Sequence, residues 1–139
     1  MTWLFWALLS AAFAAATAIL AKLGVAGVDS NYATAIRTTV VVIFTWAIAL
    51  ATRQPGSFHV PGSRTWLFLF LSGLATGLSW LCYFRALQMG PASRVAPIDK
   101  LSVALVIVAS VLFLGEKLTW GKMVGGLLIV AGAIFVALD

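Results

Sequence analysis

Polar residues interrupt this chain so rarely that its punctuation defines it. Five runs, Met1 to Ala21, Asn31 to Thr52, Thr65 to Phe84, Val95 to Gly115 and Met123 to Leu138, are apolar and carry little or no charge. A hydrocarbon core of about 30 Å needs roughly 20 helical residues, so each run predicts a membrane-spanning helix, at about 2–22, 31–52, 65–86, 94–114 and 121–138. Barrel strands would alternate polar and apolar residues over about ten positions, and no such alternation occurs. The pattern reads as an all-α integral membrane protein, a five-transmembrane-helix bundle in a single domain over 1–139.

Turn residues separate the runs. Asp29 or Ser30 can cap the second helix, Pro55-Gly56 and Pro61-Gly62 break the next connection, Gly90-Pro91 ends the third helix, and Thr119 can cap the fifth. These loops leave no room for a soluble catalytic module or a nucleotide-binding loop. An odd number of spans puts the termini on opposite sides of the membrane. A lone copy then lacks an internal symmetry mate, which predicts a partner.

Composition agrees: 63% of residues are hydrophobic and 9% charged, with a mean hydropathy of +1.08, far from a water-soluble domain. No Lys or Arg precedes the first run, so it reads as an uncleaved helix rather than a secretory signal. Cys82 is the sole cysteine and His59 the sole histidine. Neither can build a metal site, which needs several convergent ligands, and no cofactor is expected.

Short-loop cations set orientation. Arg53, Arg64, Lys117 and Lys122 belong to the N-terminal face; Lys22 and Arg94 belong to the other, with Arg85, Lys100 and Arg37 further inside. This weak bias permits insertion in both directions or a single topology with the N-terminus inside. Trp3, Trp6, Trp46, Trp66 and Trp120 supply interfacial anchors near the N-terminal face.

The informative chemistry lies in charges within the spans. Arg37 stands about 10 Å inside a second helix that starts near Ser30, and Asp99 lies equally deep in a fourth helix that starts near Ala92. Lys100 adjoins Asp99, and Arg85 and Lys22 lie nearer the same surface. Ionisable groups at depth are costly and face a partner or a water-filled cavity. Two readings stay open. Asp99 pairs with Arg37 or Arg85 to join spans, or the excess of cations lines a vestibule that attracts an anion. Asp99 is also the one candidate for proton coupling.

Polar stripes accompany these charges. Ser72, Thr76, Ser79 and Tyr83 share a face of the third helix beside Gly73, Gly77 and Trp80; Asp99, Ser102 and Ser110 share one on the fourth; Ser10 and Thr17 align on the first. Such stripes serve helix packing as well as ligand binding. The last helix carries Gly121, Gly125, Gly126 and Gly132 in aliphatic sequence. The four-residue spacing of Gly121 and Gly125 allows close helix approach, within the chain or between subunits.

The segment from Trp80 to Leu138 resembles the EamA domain of the drug/metabolite transporter superfamily. The resemblance rests on Arg85-Ala86-Leu87 before the Gly90-Pro91-Ala92-Ser93 turn, Ala96-Pro97-Ile98, Leu114-Gly115-Glu116 with Leu118-Thr119, and the Gly-rich last helix. Arg37 sits where such domains commonly carry an arginine. The chain looks like the single-domain, five-helix branch, one EamA repeat completed by dimerisation. The resemblance implies an antiparallel homodimer around a cavity formed by the first four helices, the fifth acting as scaffold, in a bacterial or archaeal cytoplasmic membrane. Four-helix small multidrug-resistance relatives use a glutamate in the first helix. The first helix here carries no acid, so that exchange chemistry is not transferred.

Taken together, these features predict a secondary transporter or facilitator for a small polar metabolite, an anionic one among the candidates, working by alternating access as a homodimer. Arg37, Arg85 and Lys100 attract or orient the anion, Asp99 tunes or couples it, and Thr76, Ser79, Trp80 and Tyr83 line the path. A flippase for a lipid-linked phosphate or sugar, or a noncatalytic subunit of a larger membrane complex, are the alternatives. With a single acid at depth and no histidine in the spans, no enzymatic acid/base or nucleophilic constellation forms. The expected partners are membrane lipid, a small-molecule substrate and a second copy, with no nucleic acid.

Overall fold

A computed structural model describes residues 2–52 and 62–138. Within them the chain is helical: α1 (Trp3–Gly24), α2 (Ser30–Ala51), α3 (Ser63–Met89), α4 (Ala92–Asp99), α5 (Leu101–Leu114) and α6 (Trp120–Leu138). Among the described residues, five helical segments are long and apolar enough to cross a membrane, with α4 and α5 together forming the fourth. Arg53, His59, Pro55-Gly56 and Pro61 lie outside the described residues.

Helix ends follow the local chemistry. The Asp29 carboxylate accepts hydrogen bonds from the Asn31 and Tyr32 amides, both at 3.0 Å, and caps α2. Thr119 accepts from the Lys122 amide at 3.3 Å and starts α6. α3 runs three residues past the expected end at 86, to the Gly90-Pro91 turn. At the end of α5, Gly115 adopts φ 67°, a left-handed conformation suited to glycine.

The fourth span departs from the expected single helix over 94–114. It is interrupted at Lys100, three residues after Pro97. A proline within a helix has no amide proton and its ring crowds the carbonyl four residues back. The Lys100 amide donates to the Pro97 carbonyl at 3.0 Å, and the Val103 amide to the Lys100 carbonyl at 3.0 Å. Both are tightened, three-residue bonds.

Two compact units emerge, Met1–Lys22 with Met89–Asp139, and Leu23–Gln88. In the first, α6 packs on α4 and α5, with Ala133, Gly126 and Ser110 buried. Lys22 at the end of α1 donates to the Gly90 carbonyl at 2.9 Å, which ties α1 to the turn before α4. The second unit buries Val25, Ser30, Thr34, Phe84 and Leu87.

Large apolar side chains point outward along the spans, Phe113 at 83% exposure and Phe135 at 79% among them. Each square ångström of such surface costs roughly 25 cal/mol in water. Lipid is the medium that removes this cost, and the chain is a multi-pass membrane protein.

Candidate functional site

The Leu23–Gln88 unit carries the most distinctive side-chain arrangement. The Arg37 guanidinium lies over the Trp80 ring, 4.2 Å from its centroid, and 5.4 Å from that of Phe84. Helical spacing explains the pairing: Trp80 and Phe84 are four residues apart on α3 and form one surface against which an α2 residue can lie. Tyr83 lies within electrostatic range of the same guanidinium. The electron-rich ring faces compensate a positive charge that hydrocarbon would expel, a contact worth about 2 kcal/mol or more when desolvated.

Stacking uses the face of the guanidinium, whereas its five N–H donors lie in its plane. Among the described residues, no group accepts a hydrogen bond from Arg37, and no buried side-chain polar atom lacks a partner. The donors are therefore both unused and reachable. A guanidinium seated over an aromatic ring, with donors to spare, can receive a carboxylate or phosphate.

Of the expected site residues, Arg37, Trp80 and Tyr83 come together in this way. Thr76 and Ser79 lie on α3 and are exposed; the Thr76 hydroxyl donates to the Ser72 carbonyl at 2.9 Å. Arg85 donates to the Gln88 side-chain oxygen at 3.2 Å, and Gln88 donates to the Val28 carbonyl.

In the other unit, Asp99 has a cation one residue away, in Lys100 at 3.2 Å. Neighbouring side chains in a regular helix do not face each other; the interruption at Lys100 makes the contact possible. The Asp99 carbonyl accepts from the Ser102 hydroxyl at 2.7 Å. A carboxylate, an ammonium and a hydroxyl thus gather at a helix break within the fourth span, an arrangement common to ion and substrate sites of transporters.

Among the described residues, only Gly126 of the four expected packing glycines is tightly opposed. A Cβ at Gly126 would meet Ile107 Cδ1 at 3.2 Å, while Gly121, Gly125 and Gly132 face open space. Gly126 thus serves the α5–α6 contact.

Between α2 and α3 lies a feature that sequence reading missed, an open cleft of about 490 Å³ lined by Asn31, Thr34, Thr38, Thr39, Gly77 and Leu81, among others. Thr34 and Thr38 donate their hydroxyl protons to the Ser30 and Thr34 carbonyls, each at 2.7 Å. The available signal was the recurrence of Thr34, Thr38, Thr45 and Thr52 at intervals of four and seven residues.

Comparison with known proteins places these features in context. A Sinorhizobium protein named as an uncharacterized transporter in the cobO 3′ region is 58% identical over 137 residues, 98% of this chain and 96% of the relative. The probable 4-amino-4-deoxy-L-arabinose-phosphoundecaprenol flippase subunit ArnF of Erwinia tasmaniensis is 43% identical over 70 residues, 49% of this chain and 55% of ArnF. The uncharacterized transporter YvbV of Bacillus subtilis is 32% identical over 109 residues, 78% of this chain but 36% of YvbV. No solved structure matches. The family model described as EamA-like transporter family matches residues 1–138. With that match along its length and relatives named as transporters, this multi-pass chain belongs to the EamA-like transporter family.

Proposed function

We propose that this transporter moves a small polar metabolite bearing an anionic group, by alternating access, as a homodimer of antiparallel copies. The observation that supports the reading is Arg37, its guanidinium carbon 4.2 Å from the Trp80 ring centroid, with no hydrogen-bond acceptor for it among the described residues. The guanidinium takes the carboxylate or phosphate of the solute, and Trp80, Tyr83, Thr76 and Ser79 line the path beside it. Asp99, paired with Lys100 at the break in the fourth span, is the coupling group. Five spans put the termini on opposite sides, and an inverted second copy supplies the symmetry that rocking one half against the other requires.

A ligand-stabilisation screen on the purified protein tests this reading, covering amino acids, organic acids, phosphorylated compounds, nucleobases and lipophilic cations. Anionic solutes are expected to raise the melting temperature of the wild type and to lose that effect in Arg37→Gln. Equal stabilisation of both would make Arg37 a structural residue.

The similarity to ArnF favours a second reading, a flippase for a lipid-linked phosphate or sugar. Reconstituted vesicles that translocate a fluorescent polyprenyl phosphate, and take up no soluble anion, would select it.

A further inference from the structure

α2 and α3 meet along a seam with two different flanks. One carries Arg37 over Trp80; the cleft occupies the other, and Arg37 does not line it. The cleft's wall changes with depth. Asn31 stands in the first turn of α2, where the helix meets the membrane surface, and Thr34 and Thr38 follow one and two turns deeper. Val42 and Ile43 line its inner end, about 18 Å from the start of α2 at 1.5 Å per residue.

The α3 wall shows the same gradient. Gly77 and Leu81 line the cleft, and the four-residue row they belong to continues outward to Arg85. That spacing puts Arg85 one turn beyond Leu81, at the polar end. Gln88 braces it, accepting from Arg85 at 3.2 Å while donating to the Val28 carbonyl. One N–H of Arg85 is used in this way, and the exposed guanidinium keeps others available.

Hydrogen-bonding capacity divides likewise. Thr34, Thr38 and Thr39 commit their protons to backbone carbonyls of their own helix, at 2.7, 2.7 and 3.0 Å. Their oxygens offer lone pairs only, so along this stretch the threonines give an anion no donor. Asp29 is the acid beside this end, and one carboxylate oxygen is occupied by the Asn31 and Tyr32 amides. An anionic group is therefore drawn to Arg85, and the body of the occupant meets hydroxyl oxygen and then aliphatic surface.

That order, cation at the surface and hydrocarbon wall at depth, complements a phosphate joined to an alkyl chain. The cleft is open, and Ala35, Val42, Ile43 and Leu81 along it are exposed on the chain's surface, so a molecule can enter sideways from the bilayer. We propose that this cleft is a docking site for a glycerophospholipid of the surrounding membrane, its phosphate on Arg85 and one acyl chain along Leu81, Gly77 and Ile43. The site is separate from the solute position at Arg37.

Native mass spectrometry of the purified full-length chain, titrated with phosphatidylglycerol and with a diacylglycerol of the same chains, tests the assignment. The wild type is expected to retain phosphatidylglycerol in preference. Arg85→Gln should lower its retention about tenfold and leave diacylglycerol unchanged. Gly77→Leu, at a position where an added Cβ meets nothing within 4 Å, should fill the floor and exclude both lipids while thermal unfolding stays cooperative. Arg37→Gln should retain phosphatidylglycerol as the wild type does. Retention unaffected by both Arg85→Gln and Gly77→Leu would reduce the lipid to a nonspecific annulus and overturn the proposal. Loss in Arg85→Gln alone, with inorganic phosphate competing, would also overturn it by showing a headgroup site without a chain. Loss in Gly77→Leu alone would overturn the phosphate assignment.

Discussion

Lys122 in the first turn of α6 reaches back to Glu116, its ammonium 2.9 Å from the carboxylate and 3.3 Å from the Lys117 carbonyl. With Gly115 in its left-handed conformation and Thr119 capping α6, this pair closes the α5–α6 connection as a clasp. These contacts put Glu116 at the helix junction. Both side chains are well exposed, at 40% and 50%, and exposed pairs contribute roughly 0–1 kcal/mol. Glu116→Gln is therefore expected to lower the melting temperature slightly, less so in high salt, and to leave uptake intact. A large loss of uptake at unchanged stability would assign Glu116 to transport.

Gly126 faces a sterner constraint. The nearest atom to an added Cβ is the end of the Ile107 side chain at 3.2 Å, which can shift for a methyl group but not for a branched side chain. Gly126→Ala should be nearly neutral, and Gly126→Val should cost about 1–3 kcal/mol through overpacking. Ile107→Ala should recover part of that loss in the double variant, measured by thermal unfolding in detergent. Gly121→Ala, with open space around it, is the control expected to change little.

Pro97 lies inside α4, where its missing amide proton and its ring bear on the carbonyl of Ser93. Pro97→Ala returns an amide proton to α4 and removes the ring from the carbonyl of Ser93. The variant is expected to be more stable by on the order of 1 kcal/mol or more, to unfold at a higher temperature, and to exchange solute more slowly as α4 stiffens. Faster exchange, or an unchanged rate with lower stability, would count against a mechanical role for Pro97.

Asp99 is the last residue of the same helix. Asp99→Asn keeps the size of the side chain and removes its charge, leaving Lys100 without its carboxylate partner at 3.2 Å. Uptake driven by a pH gradient in proteoliposomes is expected to be abolished, while counterflow of labelled solute continues. An unchanged pH dependence would remove Asp99 from coupling.

The sequence disclosed the spans and most of their ends because these depend on local properties. Apolar runs of bilayer length and residues such as Asp29, Gly90-Pro91 and Thr119 need no tertiary information. Three features were harder to read. Hydropathy averaged along the fourth span hides the interruption at Lys100, because the strongly apolar Leu101–Leu114 outweighs the mixed Ala92–Asp99. The threonine cleft escaped because threonines in an apolar span read as filler, until their row on α2 meets Gly77 and Leu81 on α3. Arg37 was singled out from its depth, but its seat on Trp80 and Phe84 depends on the register between α2 and α3, which composition does not encode.

The contact between Arg37 and Trp80 also has an optical consequence. An indole with a cation 4.2 Å from its ring centre emits in a local electric field that the other tryptophans, Trp3, Trp6, Trp46, Trp66 and Trp120, share only if they too carry a cation on their faces. If the solute's anion seats on the Arg37 guanidinium as proposed, it offsets part of that field. Trp80 would then report solute arrival by its own fluorescence, and subtracting the emission of Trp80→Phe would isolate the signal without any attached dye.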